Sequence, residues 1–123
     1  MVSKITKDQD RETRIEQEVV VDAHDESERA MGWYYYLADK LQFPFKAKCI
    51  AQRPISPLVK NEEVRIEAMG PEEECEKEMF VKVLWRGRKL VVPLSQLEGL
   101  GLDDETQEAI GDWHYWVARG YEF

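Results

Sequence analysis

Apolar and polar residues alternate along this chain with two periods. Ala30, Met31, Tyr34, Leu37, Ala38 and Leu41 recur at spacings of three and four, while Arg29, Asp39 and Lys40 fall largely elsewhere, so the pattern predicts a helix over 25–42 with one apolar face. Asp25 followed by Glu28 has the form of a capping box at its start. Phe43-Pro44-Phe45 ends it, because proline disfavours helical geometry in the residue before it. The period then becomes two. Phe45, Ala47, Cys49 and Ala51 share one face of a first strand, and Val64, Ile66 and Ala68 alternate with Arg65 and Glu67 in a second. Residues 79–85 and 89–94 read as a third and a fourth, turned at Arg86-Gly87-Arg88, whereas Pro54 and Pro57 keep 53–58 out of any sheet.

Four short antiparallel strands cannot bury both faces alone. The expected architecture is therefore α+β: a small SH3-like antiparallel β-barrel over 45–97, covered by the aromatic helix and by a C-terminal helix over 103–119. That last helix starts with Asp104 and Gln107 as a capping pair, carries Ile110, Trp113, Trp116 and Val117 inward and stops at Gly120. Gly99 and Gly101 make 94–102 a connector. Residues 1–10 carry no periodicity and are expected to be disordered. In 11–22, Ile15 and Val19 have helical spacing but Val19-Val20-Val21 is a β-branched run, which leaves helix and strand both open. At 123 residues the chain is one domain's worth.

Charge narrows the function. A net charge of −8 argues against a phosphate-backbone partner and favours cations or basic proteins. The run Trp33-Tyr34-Tyr35-Tyr36 accordingly reads as core rather than as a base-stacking platform. No apolar run is long enough to span a membrane and no signal peptide is evident, so the cytoplasm is expected and no membrane partner. Cys49 and Cys75 lack C-x-x-C spacing and read as reduced thiols. With His24 and His114 they match no zinc module. No P-loop, dinucleotide fingerprint or nucleophile motif is present, and an enzyme is not expected.

Carboxylate clusters remain. Pro71 to Glu78 holds five glutamates against one lysine, and Asp103, Asp104, Glu105, Glu108 and Asp112 follow without an intervening base. Calcium takes about six to eight oxygens from carboxylates, carbonyls and water, which suits such stretches. Neither matches an EF-hand, because Glu108 stands where that loop needs glycine, and Asp8-x-Asp10-x-Glu12 fails at Thr13 and Val19. A site would have to be assembled from separate segments. The plainer readings are a solvated hairpin tip at Glu72–Glu74 and a favourable helix macrodipole at Asp103–Glu105.

The blocks Val20-Val21-Asp22-Ala23, Gly32-Trp33-Tyr34-Tyr35-Tyr36-Leu37, Phe43-Pro44-Phe45, Val92-Pro93-Leu94-Ser95-Gln96-Leu97 and Asp112-Trp113-His114-Tyr115-Trp116 resemble the cyanobacterial calcium-binding family of the CcbP type, from about Glu18 to Phe123. The resemblance implies a small acidic cytoplasmic protein that binds Ca2+ without EF-hands and buffers it until release during cell differentiation. Asp39, the acids of the Pro71–Glu78 loop and Asp103, Asp104 and Glu105 match acidic positions of the family pattern. The expected metal residues are thus Asp39, Glu72, Glu73 and Glu74 in a tighter site, with Asp103, Asp104 and Glu105 in a weaker one. The alternative is an SH3-like interaction module that takes a peptide or basic partner in an aromatic groove without calcium.

Overall fold

The structure, a computed structural model, describes residues 6–123, so the expectation for residues 1–5 lies outside the described residues. From Asp8 onward the chain is ordered by capping: the Asp8 carboxylate accepts from the Arg11 N–H at 3.1 Å and opens helix α1, Gln9–Arg14. A π-helical turn, Ile15–Val19, continues it, and the chain leaves this course at Asp22 (φ 61°). The segment open between helix and strand is therefore helical up to Val19. No residue of α1 is buried, which is why its sequence carries no apolar rhythm.

Helix α2, Glu26–Lys40, starts as its cap predicts, with Asp25 accepting from the Glu28 N–H at 2.8 Å. The Glu28 carboxylate reaches one residue further back than a capping box would, to the N–H of His24 at 3.1 Å. Its buried face also differs from the expected stripe. Ala30, Trp33, Tyr36 and Leu37 are buried, whereas Met31 and Tyr34 are half-buried and Ala38 is exposed. Trp33 turns the helix: its ring packs 5.0 Å from Trp113 and 5.5 Å from Trp116, and burying the largest side chain outweighs the smaller residues of the predicted stripe.

Five strands form one antiparallel sheet: β1 Phe45–Cys49, β2 Glu63–Met69, β3 Phe80–Trp85, β4 Arg88–Pro93 and β5 Leu97–Leu100, in the order β4-β3-β2-β1-β5. Arg86 and Gly87 both take positive φ, which suits the two-residue turn between β3 and β4. β5 falls in the expected connector; its short Leu-Glu-Gly-Leu sequence becomes a strand by pairing with β1, from Lys46↔Leu100 to Cys49↔Leu97. Since β4 and β5 are the two edges and no ladder joins them, the sheet is open, and the expected SH3-like barrel closure does not occur in this pairing. Ala47, Val64, Ile66, Val81, Val83 and Val92 point from the sheet into a core shared with Trp33, Leu37 and Trp113.

Helix α3, Asp104–Ala118, begins at Asp103, whose side chain makes no capping bond, so the predicted Asp104–Gln107 capping pair does not form. Val117 is exposed rather than inward; Asp112 and Tyr115 are buried because α1 and the π turn lie against that side. No helix of the described residues is long and apolar enough to cross a membrane.

Candidate metal site

The acidic loop is a held structure. Pro71 opens a 3-10 turn, Glu72–Glu74, closed by N–H bonds from Glu74 to the Pro71 carbonyl (3.0 Å) and from Cys75 to the Glu72 carbonyl (2.9 Å). Its base is fixed on both sides. Gly70 N–H donates to Phe80 O at 2.8 Å, the Tyr34 hydroxyl donates to Gly70 O at 2.7 Å, and the buried Cys75 sulfur accepts from Phe80 N–H at 3.3 Å. Glu72, Glu73 and Glu74 stand exposed on that base. Between the turn and the first half of α2 runs a cleft of about 460 Å3, lined by Glu26, Ser27, Ala30 and Met31 on the helix and by Glu72, Glu73, Cys75, Glu76 and Lys77 on the loop.

The acids of the chain divide by whether a partner meets them. Glu78 is held bidentate by Arg53 at 2.7 and 2.9 Å, and Glu105 pairs with Lys40 at 3.2 Å. Glu62 accepts from the Trp85 indole at 2.8 Å and lies 3.4 Å from Arg86. By contrast, the side chains of Glu73, Glu74 and Glu76 have no hydrogen bond or ion pair among the described residues, and Glu72 accepts only a long bond, 3.3 Å, from the Tyr35 hydroxyl. The resulting field acts on its neighbours. The negative charge of Glu72 raises the pKa of Tyr35; burial, then Cys75, Glu72 and Glu73, raise that of Tyr34; burial, with Glu74, Glu72 and Glu73 adding to it, pushes the Cys75 thiol up.

Asp39 is exposed in the last turn of α2. It follows Tyr35 by one helical turn, and the Tyr35 hydroxyl reaches Glu72 at 3.3 Å. Beside it, Lys40 reaches Glu105 on α3, and the Lys40 ammonium is stabilised first by that hydrogen bond and charge, then by Asp39 and Glu18. Asp103 and Asp104 are exposed at the start of α3 without a side-chain partner among the described residues, whereas Glu105 already has one. Glu26 and Glu76 were not singled out by the sequence. Glu76 lay inside the acidic run, but nothing along the chain places Glu26 beside it, because the two meet only where the loop crosses α2.

Among the described residues, no three carboxylate, imidazole or thiol side chains converge as a ready-made metal cage. Cys49 and Cys75 are separate buried free thiols. His114 lies apart from the acidic cleft, its Nε2–H donating to Leu97 O at 2.7 Å. What the cleft offers is hard, anionic oxygen on flexible stems, a donor set suited to a hard cation that keeps part of its water.

Known proteins are similar to this chain over most or all of its length. The sequence profile of the CcbP family, described as calcium binding, matches residues 13–117. The crystal structure of Anabaena CcbP is similar at 47% identity and a TM-score of 0.88, covering 100% of both chains. A calcium-binding protein in its calcium-binding form is similar at 46% identity and a TM-score of 0.85, covering 95% of this chain and 96% of that one. No curated protein sequence matches the chain. With a profile match over most of its length and structural relatives at this identity, the chain belongs to the CcbP family of calcium-binding proteins.

Proposed function

We propose that this protein binds Ca2+ reversibly in the cleft between α2 and the acidic turn and acts as a cytoplasmic calcium buffer. One observation carries the reading: Glu26, Glu72, Glu73 and Glu76 line a single cleft, and only Lys77 opposes their charge there. Four carboxylates supply part of the six to eight oxygens that calcium takes, about the share that leaves room for water and backbone carbonyls. Ordering flexible glutamates has an entropic cost, which lowers the affinity and favours release of the ion. Asp39, Asp103 and Asp104 form a second, weaker cation-attracting patch, in which Glu105 is already engaged by Lys40. The Asp39–Glu72 pairing expected from the sequence gives way in this reading to Glu26 and Glu76. Release during cell differentiation is the physiological role that the family resemblance suggests.

Calorimetric titration with calcium at physiological salt is expected to give saturable heat, and a flat trace would overturn the proposal. The double substitution Glu72→Gln and Glu73→Gln is expected to remove the tighter phase. Glu74→Gln, at a side chain outside the cleft lining, is expected to weaken it only slightly; equal losses in the two variants would mean that overall charge, not the cleft, attracts the ion.

A further inference from the structure

A second cleft lies apart from the acidic one. It measures about 530 Å3 and lies between β5 and α3, where Glu98 and Gly99 face Gln107, Ile110 and His114. We propose that this cleft binds an extended, alternately apolar and basic peptide segment of a partner protein, added as a strand along the outer edge of β5.

The sheet register decides which groups face the cleft. Ile50 N–H donates to Gln96 O at 2.8 Å, and the ladder continues through Lys48↔Glu98 and Lys46↔Leu100. Because hydrogen-bonding direction alternates along an antiparallel strand, Glu98 and Leu100 turn their backbone groups toward β1, while Leu97 and Gly99 turn theirs outward. His114 takes the outward Leu97 carbonyl. The N–H and C=O of Gly99 have no partner among the described residues, and Gly99, with no side chain, lines the cavity through its backbone. A peptide strand would satisfy both groups, the mode by which extended segments add to open sheet edges. The opposite edge is protected: β4 carries Arg88, Lys89 and Pro93, the usual devices against edge pairing.

The chemistry of the cleft selects the occupant. Ile50, Leu102 and Ile110 provide an apolar surface. Burial lowers the pKa of His114, and the neutral ring, with its Nε2–H spent on Leu97, has Nδ1 left as an acceptor. Glu98 is exposed at the rim and forms no ion pair among the described residues. Acceptors on an apolar floor suit a segment that presents an apolar side chain inward and a lysine or arginine at the rim. The net charge of −8 favours a basic partner and opposes a second copy of this chain.

The probe is a short, capped peptide of alternating lysine and valine, titrated into isotope-labelled protein in the presence of chelator. Saturable shifts at Gly99 and slowed exchange of its amide are expected, with Glu98→Gln weakening binding roughly fivefold, the size of one partly exposed ion pair, and Glu73→Gln leaving it unchanged. Shifts confined to the 72–76 turn that vanish with added salt would overturn the proposal, as would unaltered exchange at Gly99. Slowed Gly99 exchange on concentrating the protein without peptide would assign the edge to a second copy and overturn it equally.

Discussion

Asp112 and Glu73 carry the same charge and end in opposite circumstances. Asp112 is fully buried and accepts from Arg11 Nη1 at 2.7 Å, from Arg14 Nε and Nη2 at 2.8 and 2.6 Å and from the Tyr36 hydroxyl at 2.9 Å. Its charge raises the pKa of two of these partners: that of Arg14 chiefly through the hydrogen bond, and that of Tyr36 after the larger effect of burial. Glu73 stands in water beside other glutamates with no partner among the described residues. The first carboxylate is a fastener on α3 that holds α1 through Arg11 and Arg14 and α2 through Tyr36. The second is available to a cation. A count of acidic residues cannot separate these roles, but compensation does: a carboxylate whose charge is already matched by guanidinium groups has little left to offer calcium.

The comparison breaks most visibly at Asp112. Asp112→Asn leaves two partly exposed arginines facing a neutral group, and a stability loss of about 2–3 kcal/mol, less than for a fully buried pair, is expected in denaturant unfolding. A loss within the range of surface substitutions, about 0.5 kcal/mol, would mean that the network does not hold the N-terminal segment.

A smaller effect is expected at Glu12, which completes the same fastening. Its carboxylate accepts from the hydroxyls of Tyr115 at 2.5 Å and Tyr121 at 2.7 Å. Burial pushes its pKa up, but the two tyrosines, with Lys7 and Arg119, hold it below the usual carboxylate value. A depressed folded-state pKa stabilises the protein above the unfolded-state value and ceases to do so as pH falls through the folded one. The thermal midpoint is therefore expected to drop in that acid window, and Glu12→Gln is expected to flatten the decline while lowering the midpoint at neutral pH.

The acidic cleft is expected to respond in the other direction, in affinity rather than stability. Glu26→Gln should weaken calcium binding by about fivefold with the thermal midpoint nearly unchanged, and Lys77→Gln should strengthen binding by about twofold, both read by calorimetry. If Glu26→Gln instead destabilises the fold as Asp112→Asn does, the distinction between fastener and ligand collapses.

Much of the fold was legible locally. The Asp25 cap, the strand rhythm from Phe45 to Pro93 and the last helix around Trp113 are all set by residues near one another in sequence, and they appear where the pattern placed them. Helix α1 was legible only as one of two readings of 11–22, and its start at Gln9 not at all, because its hold is polar and lies across the chain, at Asp112 and Tyr115. β5 was invisible because four residues that include a glycine have no strand character until β1 offers them a partner.

The acidic site shows the same division. Sequence alone determined that the Glu72–Glu76 run is over-charged and without local bases save Lys77, since repulsion at such spacing depends only on neighbours along the chain. Only the tertiary structure decided which wall faces it. The Tyr34 and Cys75 anchors lay the turn against α2, so that Glu26, some fifty residues earlier in the chain, lines the cleft beside Glu72 and Glu76.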